Sequence, residues 1–217
     1  MSQLFDFDKE NKSSPYLIGT DEAGRGPLAG PVVSAAVCFP KITDELITEL
    51  NLINDSKKLS HKQRENLYEV IKANSIYSIA VIEVEEIERI NILQAALKGM
   101  RLACEEVKKQ LDAEAEVFVD GKIKVPNLNI KQTTLVKGDG RSASVAAASI
   151  LAKVFRDELM CEYAKQYPEY DWCANKGYGT AKHVEAIRKY GLTTLHRKSF
   201  LTNILENKEE KQLRLNF

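Results

Sequence analysis

Histidine occurs only three times and cysteine four times in this 217-residue sequence. Cys38, Cys104, Cys161 and Cys173 form no C-x-x-C pair, and His61, His183 and His196 show no ligand spacing to one another. A zinc site of thiolates and imidazoles is therefore not expected, and the cysteines read as small buried thiols in a reducing compartment. The histidines are expected in exposed or helix-capping positions, not in catalysis. Long apolar runs are absent as well. None approaches the ~18 residues of a membrane span, and the acidic first ten residues lack the basic-then-apolar order of an export signal. A cytoplasmic protein with no membrane partner is the expectation. Net charge is missing too, with 31 Lys+Arg against 31 Asp+Glu, which taken alone argues against a polyanionic partner.

The placement of the charges argues the other way. From Lys176 to Phe200 the cations Lys176, Lys182, Arg188, Lys189, Arg197 and Lys198 are interrupted by a single acid, Glu185, and no acid interrupts Lys57, Lys58, Lys62 and Arg64. The acids gather instead at Glu83 to Glu88 and at Glu105 to Glu116. Such separation makes basic patches able to track phosphates, although any one patch taken singly is more often a solvated helix face.

No repeat or low-complexity segment divides the chain, and its 44% hydrophobic content suffices for one core, so a single domain over 1–217 is expected. Strand-like runs fall at Tyr16 to Thr20, Val32 to Phe39, Ile76 to Val84, Glu116 to Val119 and Thr133 to Val136, with helix-like runs between and after them. Ser60 with Gln63, and Asn91 with Gln94, have capping-box spacing for helices to about Ala73 and Gln110. Further helices are expected from Ser142 toward Ala164, rich in small residues, and from Thr180 to Tyr190, closed by Gly191. This alternation predicts an α/β fold with a helical C-terminal region over about 180–217, whose last residues from Asn207 are charged enough to fray.

The chemistry concentrates where strands end. Leu17-Ile18-Gly19-Thr20 leads into Asp21-Glu22, and the Gly/Pro-rich stretch after Ala23 terminates the strand. Neighbouring carboxylates on a strand point to opposite faces, so Asp21 and Glu22 can share a site only where the chain turns. Gly24 and Gly26 let backbone N–H groups approach a sugar or phosphate, and Arg25 between them adds a forked cation. Two further strands end similarly, on Asp120-Gly121 and on Lys137-Gly138-Asp139-Gly140. Taken singly, an Asp-Gly is usually a turn. Acids presented from several strand ends of one α/β sheet can converge in its ligand crevice. Asp21, Glu22, Asp120 and Asp139 would then repel one another unless a hard cation such as Mg²⁺ or Mn²⁺ neutralised them.

These motifs carry a family resemblance. Asp21 to Val33, Asn54-Asp55-Ser56-Lys57-Lys58-Leu59-Ser60, Val119-Asp120-Gly121, Lys137-Gly138-Asp139, Ala146 to Asp157, Lys176-Gly177-Tyr178-Gly179-Thr180 and His196-Arg197-Lys198-Ser199-Phe200 occur in the order of the bacterial type 2 ribonucleases H, the ribonuclease HII family. Arg25 between its glycines and the short N-terminal segment distinguish the chain from the related type 3 enzymes. The resemblance implies a ribonuclease H-like fold, a central mixed β-sheet flanked by helices. It also implies endonucleolytic cleavage of RNA in RNA–DNA hybrids and 5′ of single ribonucleotides in duplex DNA, with 3′-hydroxyl and 5′-phosphate products. Asp21, Glu22, Asp120 and Asp139 resemble the family's ligands for two Mg²⁺ or Mn²⁺ ions. Gly24-Arg25-Gly26 resembles its sensor of the ribose 2′-hydroxyl, and Tyr178 its sugar-packing tyrosine, although in isolation a tyrosine is more often a half-buried anchor. Lys57, Lys58, Lys176 and Arg197 are expected phosphate contacts.

Trp172 with Tyr167 and Tyr170 reads as an anchor or a base-stacking surface, and Asp157 as a local ion pair. Lys122 stands where the family often has asparagine, which puts contacts of the 122–132 loop in question. A monomer is expected, with a replication-clamp contact through the C-terminal tail. The competing readings are another ribonuclease H-like nuclease, which would not need the Gly-Arg-Gly loop or Tyr178, and a non-catalytic nucleic-acid-binding domain, which would not need acids at three strand ends.

Overall fold

The computed structural model describes residues 3–51, 53 and 60–205. Lys57, Lys58 and the tail from 207 lie outside the described residues. In chain order the elements are α1 (Gln3–Asn11), β1 (Tyr16–Ala23), β2 (Val32–Cys38), α2 (Asp44–Glu49), α3 (His61–Asn74), β3 (Ile76–Ile82), α4 (Val84–Ile90) and α5 (Ile92–Lys109). There follow β4 (Ala115–Asp120), β5 (Lys131–Leu135), α6 (Ala143–Gln166), α7 (Trp172–Asn175), α8 (Ala181–Tyr190) and α9 (Lys198–Leu205). All five expected strands are present, as are the four expected helices. Ser60 and Gln63 form the expected capping box by exchanging side-chain and backbone bonds, and Asn91 caps its helix through its side chain, which accepts from the N–H groups of Leu93 and Gln94.

The strands make one mixed sheet in the order β3-β2-β1-β4-β5. β1 to β3 form an antiparallel meander, while β4 and β5 run parallel to β1. Period-two alternation sends Val33, Ala35 and Val37 of β2 into a core with α3 and α6, and Ala36 and Cys38 into a second core with α5. α6 lies unusually close to the sheet. A Cβ at Gly19 would stand 2.1 Å from the carbonyl carbon of Ser144, so glycine is required in the middle of β1 for the helix to pack there. Asp8 of α1 ties down the start of the same helix by accepting from the Ser144 N–H and hydroxyl, both at 2.9 Å.

Beyond the sheet, the C-terminal helices pack with the end of α6 around Trp172, which is fully buried and lies against Tyr170 with ring centroids 5.1 Å apart. Trp172 is therefore an anchor and presents no surface to a base. Two cysteine expectations need correction. Cys38 and Cys104 are buried free thiols, whereas Cys161 and Cys173 are joined by a disulfide, their Cα atoms 4.1 Å apart. The turn at Pro168–Tyr170 folds α7 back along α6, a proximity that their separation of 12 residues does not announce. Among the described residues no helix is long and apolar enough to cross a membrane.

Candidate active site

Parallel pairing sets two of the acids side by side. Thr20 of β1 lies opposite Val119 of β4, so Asp21 and Asp120 follow at the same level on adjacent strands. The expected turn comes later than predicted, because β1 runs on to Ala23 and both carboxylates are still on the strand. Asp21 is 7% exposed and folds back to accept from the Glu22 N–H at 2.7 Å. Asp120 accepts from the Gly138 N–H at 2.7 Å, which draws in the 3₁₀ turn Gly138–Gly140 that carries Asp139. Lys137, at φ 55°, makes the left-handed step into that turn.

Charge opposes charge here. Burial, then Glu22 and Asp120, hold the Asp21 carboxyl well above the usual carboxylate range, against a hydrogen bond from Ser149. Glu22 is also raised, first by burial, despite an ion pair with Arg25 at 3.1 Å. Among the described residues, no group of three or more acids, histidines and cysteines is yet arranged to hold an ion. The donor set nevertheless fits a hard divalent cation, which would relieve the repulsion that raises these carboxyls.

Beside the acids is a groove of ≈ 470 Å³ lined by Glu22, Gly24, Arg25, Gly26, Lys153 and Tyr178, among others. Gly26 and Tyr178 are neighbours in its lining: a Cβ on Gly26 would sit 3.6 Å from the tyrosine ring, in ordinary contact. Tyr178 is 45% exposed, so the ring is presented to solvent. Its backbone is coupled to the glycine loop, since the Leu28 N–H donates to the Gly177 carbonyl at 2.8 Å.

Two buried arginines shape the loop from beneath. Arg197 is fully buried and donates to the carbonyls of Gly24, Arg25, Pro27 and Gly30 at 2.7 to 3.2 Å. Its guanidinium is spent on backbone, so the expected phosphate contact is corrected to a support for the loop. Arg156 donates to the carbonyls of Pro31, Lys176 and Ala29 at 2.9 to 3.1 Å and thereby joins both walls of the groove. A Cβ on Gly24, at φ 98°, would collide with the Arg156 Nε at 2.1 Å. Burial lowers both guanidinium pKa values, yet neither leaves the charged state near neutrality. Lys176 turns inward, its Nζ 3.3 Å from the Asp157 carbonyl and 3.1 Å from the Cys161 Sγ, and burial lowers its pKa. Asp157 pairs with Lys153 at 2.7 Å, as a local ion pair.

Sequence reasoning missed Arg156, Lys153 and the buried histidines. His183 and His196 are 0% and 2% exposed, which corrects the expectation of exposed or capping positions. One signal for the arginines was available. The 24–31 stretch holds three glycines and two prolines, so most of its carbonyls find no local side-chain donors and must be satisfied from elsewhere in the chain.

A family model described as Ribonuclease HII matches residues 18–203. The chain is 49% identical over 210 residues to a Ribonuclease HII of Fusobacterium nucleatum subsp. nucleatum, covering 96% of this chain and 94% of that one. Among solved structures it is similar to the RNase HII of the PCNA:RNase HII complex from Archaeoglobus fulgidus, with TM-score 0.68, 25% identity, and 84% and 93% of the two chains covered. It also shares its fold with Bst-RNase HIII solved in complex with Mn²⁺, with TM-score 0.68, 18% identity, and 93% and 70% coverage.

Proposed function

Because the chain belongs to the ribonuclease HII family, we propose that its groove recognises the ribose of a ribonucleotide and directs cleavage beside it. The chain is a ribonuclease H, an endonuclease that hydrolyses phosphodiester bonds, and its mixed sheet with flanking helices is the ribonuclease H-like fold. In the proposed reading, one catalytic domain cuts the RNA strand of RNA–DNA hybrids and incises 5′ of single ribonucleotides in duplex DNA. Asp21, Glu22, Asp120 and Asp139 would hold two Mg²⁺ or Mn²⁺ ions. Ions held there would supply an activated water and charge stabilisation at the phosphate and leaving oxygens, the chemistry that fits 3′-hydroxyl and 5′-phosphate ends.

The residues of the chain do the rest. Gly24, Arg25 and Gly26 bring backbone polar groups against the sugar, and only a loop without Cβ atoms at its glycines allows that approach. Tyr178 closes the sugar from the opposite wall. Arg25, Lys153 and Arg64 line the same groove and would take phosphate charge, with Lys57 and Lys58 in the same role. Lys176 is better read as bracing α7 against α6. The protein works as a monomer in the cytoplasm. The A. fulgidus relative is described in complex with PCNA, which supports a sliding-clamp contact placed here in the C-terminal tail.

The observation that carries this reading is one groove lined by Glu22, the Gly24-Arg25-Gly26 loop and an exposed tyrosine ring, with the desolvated Asp21 carboxyl next to Glu22 in the chain. A DNA duplex holding one ribonucleotide, incubated with Mg²⁺ or Mn²⁺, should be cut on the 5′ side of that nucleotide and nowhere else. Equal cutting of an all-DNA duplex would overturn the ribose reading.

A further inference from the structure

Behind Tyr178 lies a buried polar chain that the proposed chemistry does not use. Thr193 donates its backbone N–H to His196 Nδ1 at 3.0 Å. The Thr193 Oγ1 lies at 3.0 Å from the same nitrogen and itself accepts from the Leu195 N–H. His196 Nδ1 is therefore an acceptor, and the proton of its neutral ring sits on Nε2, 3.3 Å from His183 Nε2. The Trp172 indole N–H, which can only donate, also points at His183 Nε2, at 3.0 Å. His183 must then carry its proton on Nδ1, and that proton is aimed at the Tyr178 carbonyl 2.9 Å away.

Every donor in this chain points the same way, and none can be reversed without setting two donors against each other. Charging either ring would do that, and burial accordingly lowers the pKa of His183 and, with His183 as neighbour, that of His196. The rings are wedged among Tyr170, Trp172 and each other: Tyr170 meets His196 edge-on at 4.8 Å between centroids. The Tyr178 carbonyl also accepts from the Thr180 N–H at 2.8 Å, so two donors hold one carbonyl.

We propose that His183, fixed in its Nδ1–H form by His196 and Trp172, is a positioning residue that sets the Tyr178 backbone and so aims its ring at the sugar. This rests on the reading that Tyr178 contacts the ribose. Two substitutions divide the chain at His183. His183→Asn can keep a donor for the Tyr178 carbonyl but gives up the acceptor for Trp172 and His196. His183→Gln can keep that acceptor but gives up the donor. On the single-ribonucleotide duplex, His183→Gln should lower kcat/KM about tenfold, while His183→Asn stays within about threefold of the parent, at a temperature where both are folded.

A role in core packing alone would affect the two equally or Asn more, and either result overturns the proposal. Tyr178→Ala separates it from its premise. If that variant cleaves normally, the sugar contact is wrong and the positioning role falls with it. If it loses cleavage while His183→Gln does not, the positioning role alone is wrong. Should His183→Gln fail to fold, long-range ¹H–¹⁵N NMR of the parent decides the matter. A proton on His183 Nδ1 supports the proposal, and one on Nε2 overturns it.

Discussion

Two buried charged groups flank the Gly24 to Pro31 loop and are treated in opposite ways. Beneath it, Arg156 and Arg197 are each surrounded by backbone carbonyls whose dipoles point at the guanidinium. At its N-terminal end, burial and the charges of Glu22 and Asp120 raise the proton affinity of Asp21, and burial and Asp120 raise that of Glu22, with Arg25 offsetting Glu22. The arginine side is completed by folding, because its partners are part of the chain. On the acid side folding leaves the repulsion in place, and a cation from solution would relieve it. Substitution should therefore have opposite consequences on the two sides for stability and for activity.

The largest effect is expected at the acids. Asp21→Asn should reduce cleavage about a thousandfold with hybrid binding retained, because a ligand and a charge at the reacting phosphate are lost. The same change should leave the metal-free protein as stable as the parent or about 1 kcal/mol more stable, since a desolvated and repelled charge is removed. Parallel cleavage assays and urea titrations test both halves, and a clear loss of stability would mean that Asp21 is a structural residue. Next, Arg197→Met should cost about 4 kcal/mol in the same titrations by leaving four carbonyls without their donor, and Arg197→Lys should recover little, since one ammonium cannot span the fork. A cost below about 1 kcal/mol would show that the loop holds its shape without the arginine.

The smallest effect is in pH. The Asp21 carboxyl keeps its proton in the folded chain to a higher pH than in the unfolded one, chiefly through burial. Folding therefore binds a proton between the ordinary carboxylate value and the raised one. Stability conferred by that group is greatest below the window and declines as pH rises through it. Metal-free parent protein should lose more melting temperature than Asp21→Asn between about pH 5 and about pH 8, and Mg²⁺ should narrow that difference at the upper end. Equal slopes for the two proteins would place the burden on another carboxyl.

Much of this contrast was legible in the residues, though unevenly. The strands could be read because β-branched runs such as Val32-Val33 end at glycine, proline or Asp-Gly, and α6 because Ser142 caps an alanine-rich stretch. The adjacency of Asp21 and Asp120 could be read because their strands end close after them, Asp120 being the last residue of β4, whereas Asp139 lies in a turn beyond β5. Arg197 was not legible. Within a basic run it looks solvated, and only its approach to a loop 170 residues away shows its cation to be enclosed. His183 and His196 likewise have no local signal, since their partners are each other, Trp172 and a backbone carbonyl. α1 was overlooked because six of its nine residues are polar or charged and its apolar residues are too few to show helical periodicity. The half-turn of strand beyond Thr20 was hidden because Gly24 suggested an earlier end.

The reach of Arg197 has a consequence for how the protein is made. Chain leaving a ribosome exposes Asp21, Glu22 and the glycine loop early, but the side chain that satisfies four of that loop's carbonyls emerges about 170 residues later. A growing chain therefore holds Asp21, Glu22, Asp120 and Asp139 well before it can shape the loop beside them. Arrival of Arg197, more than collapse of the sheet, is the moment at which that loop takes its shape.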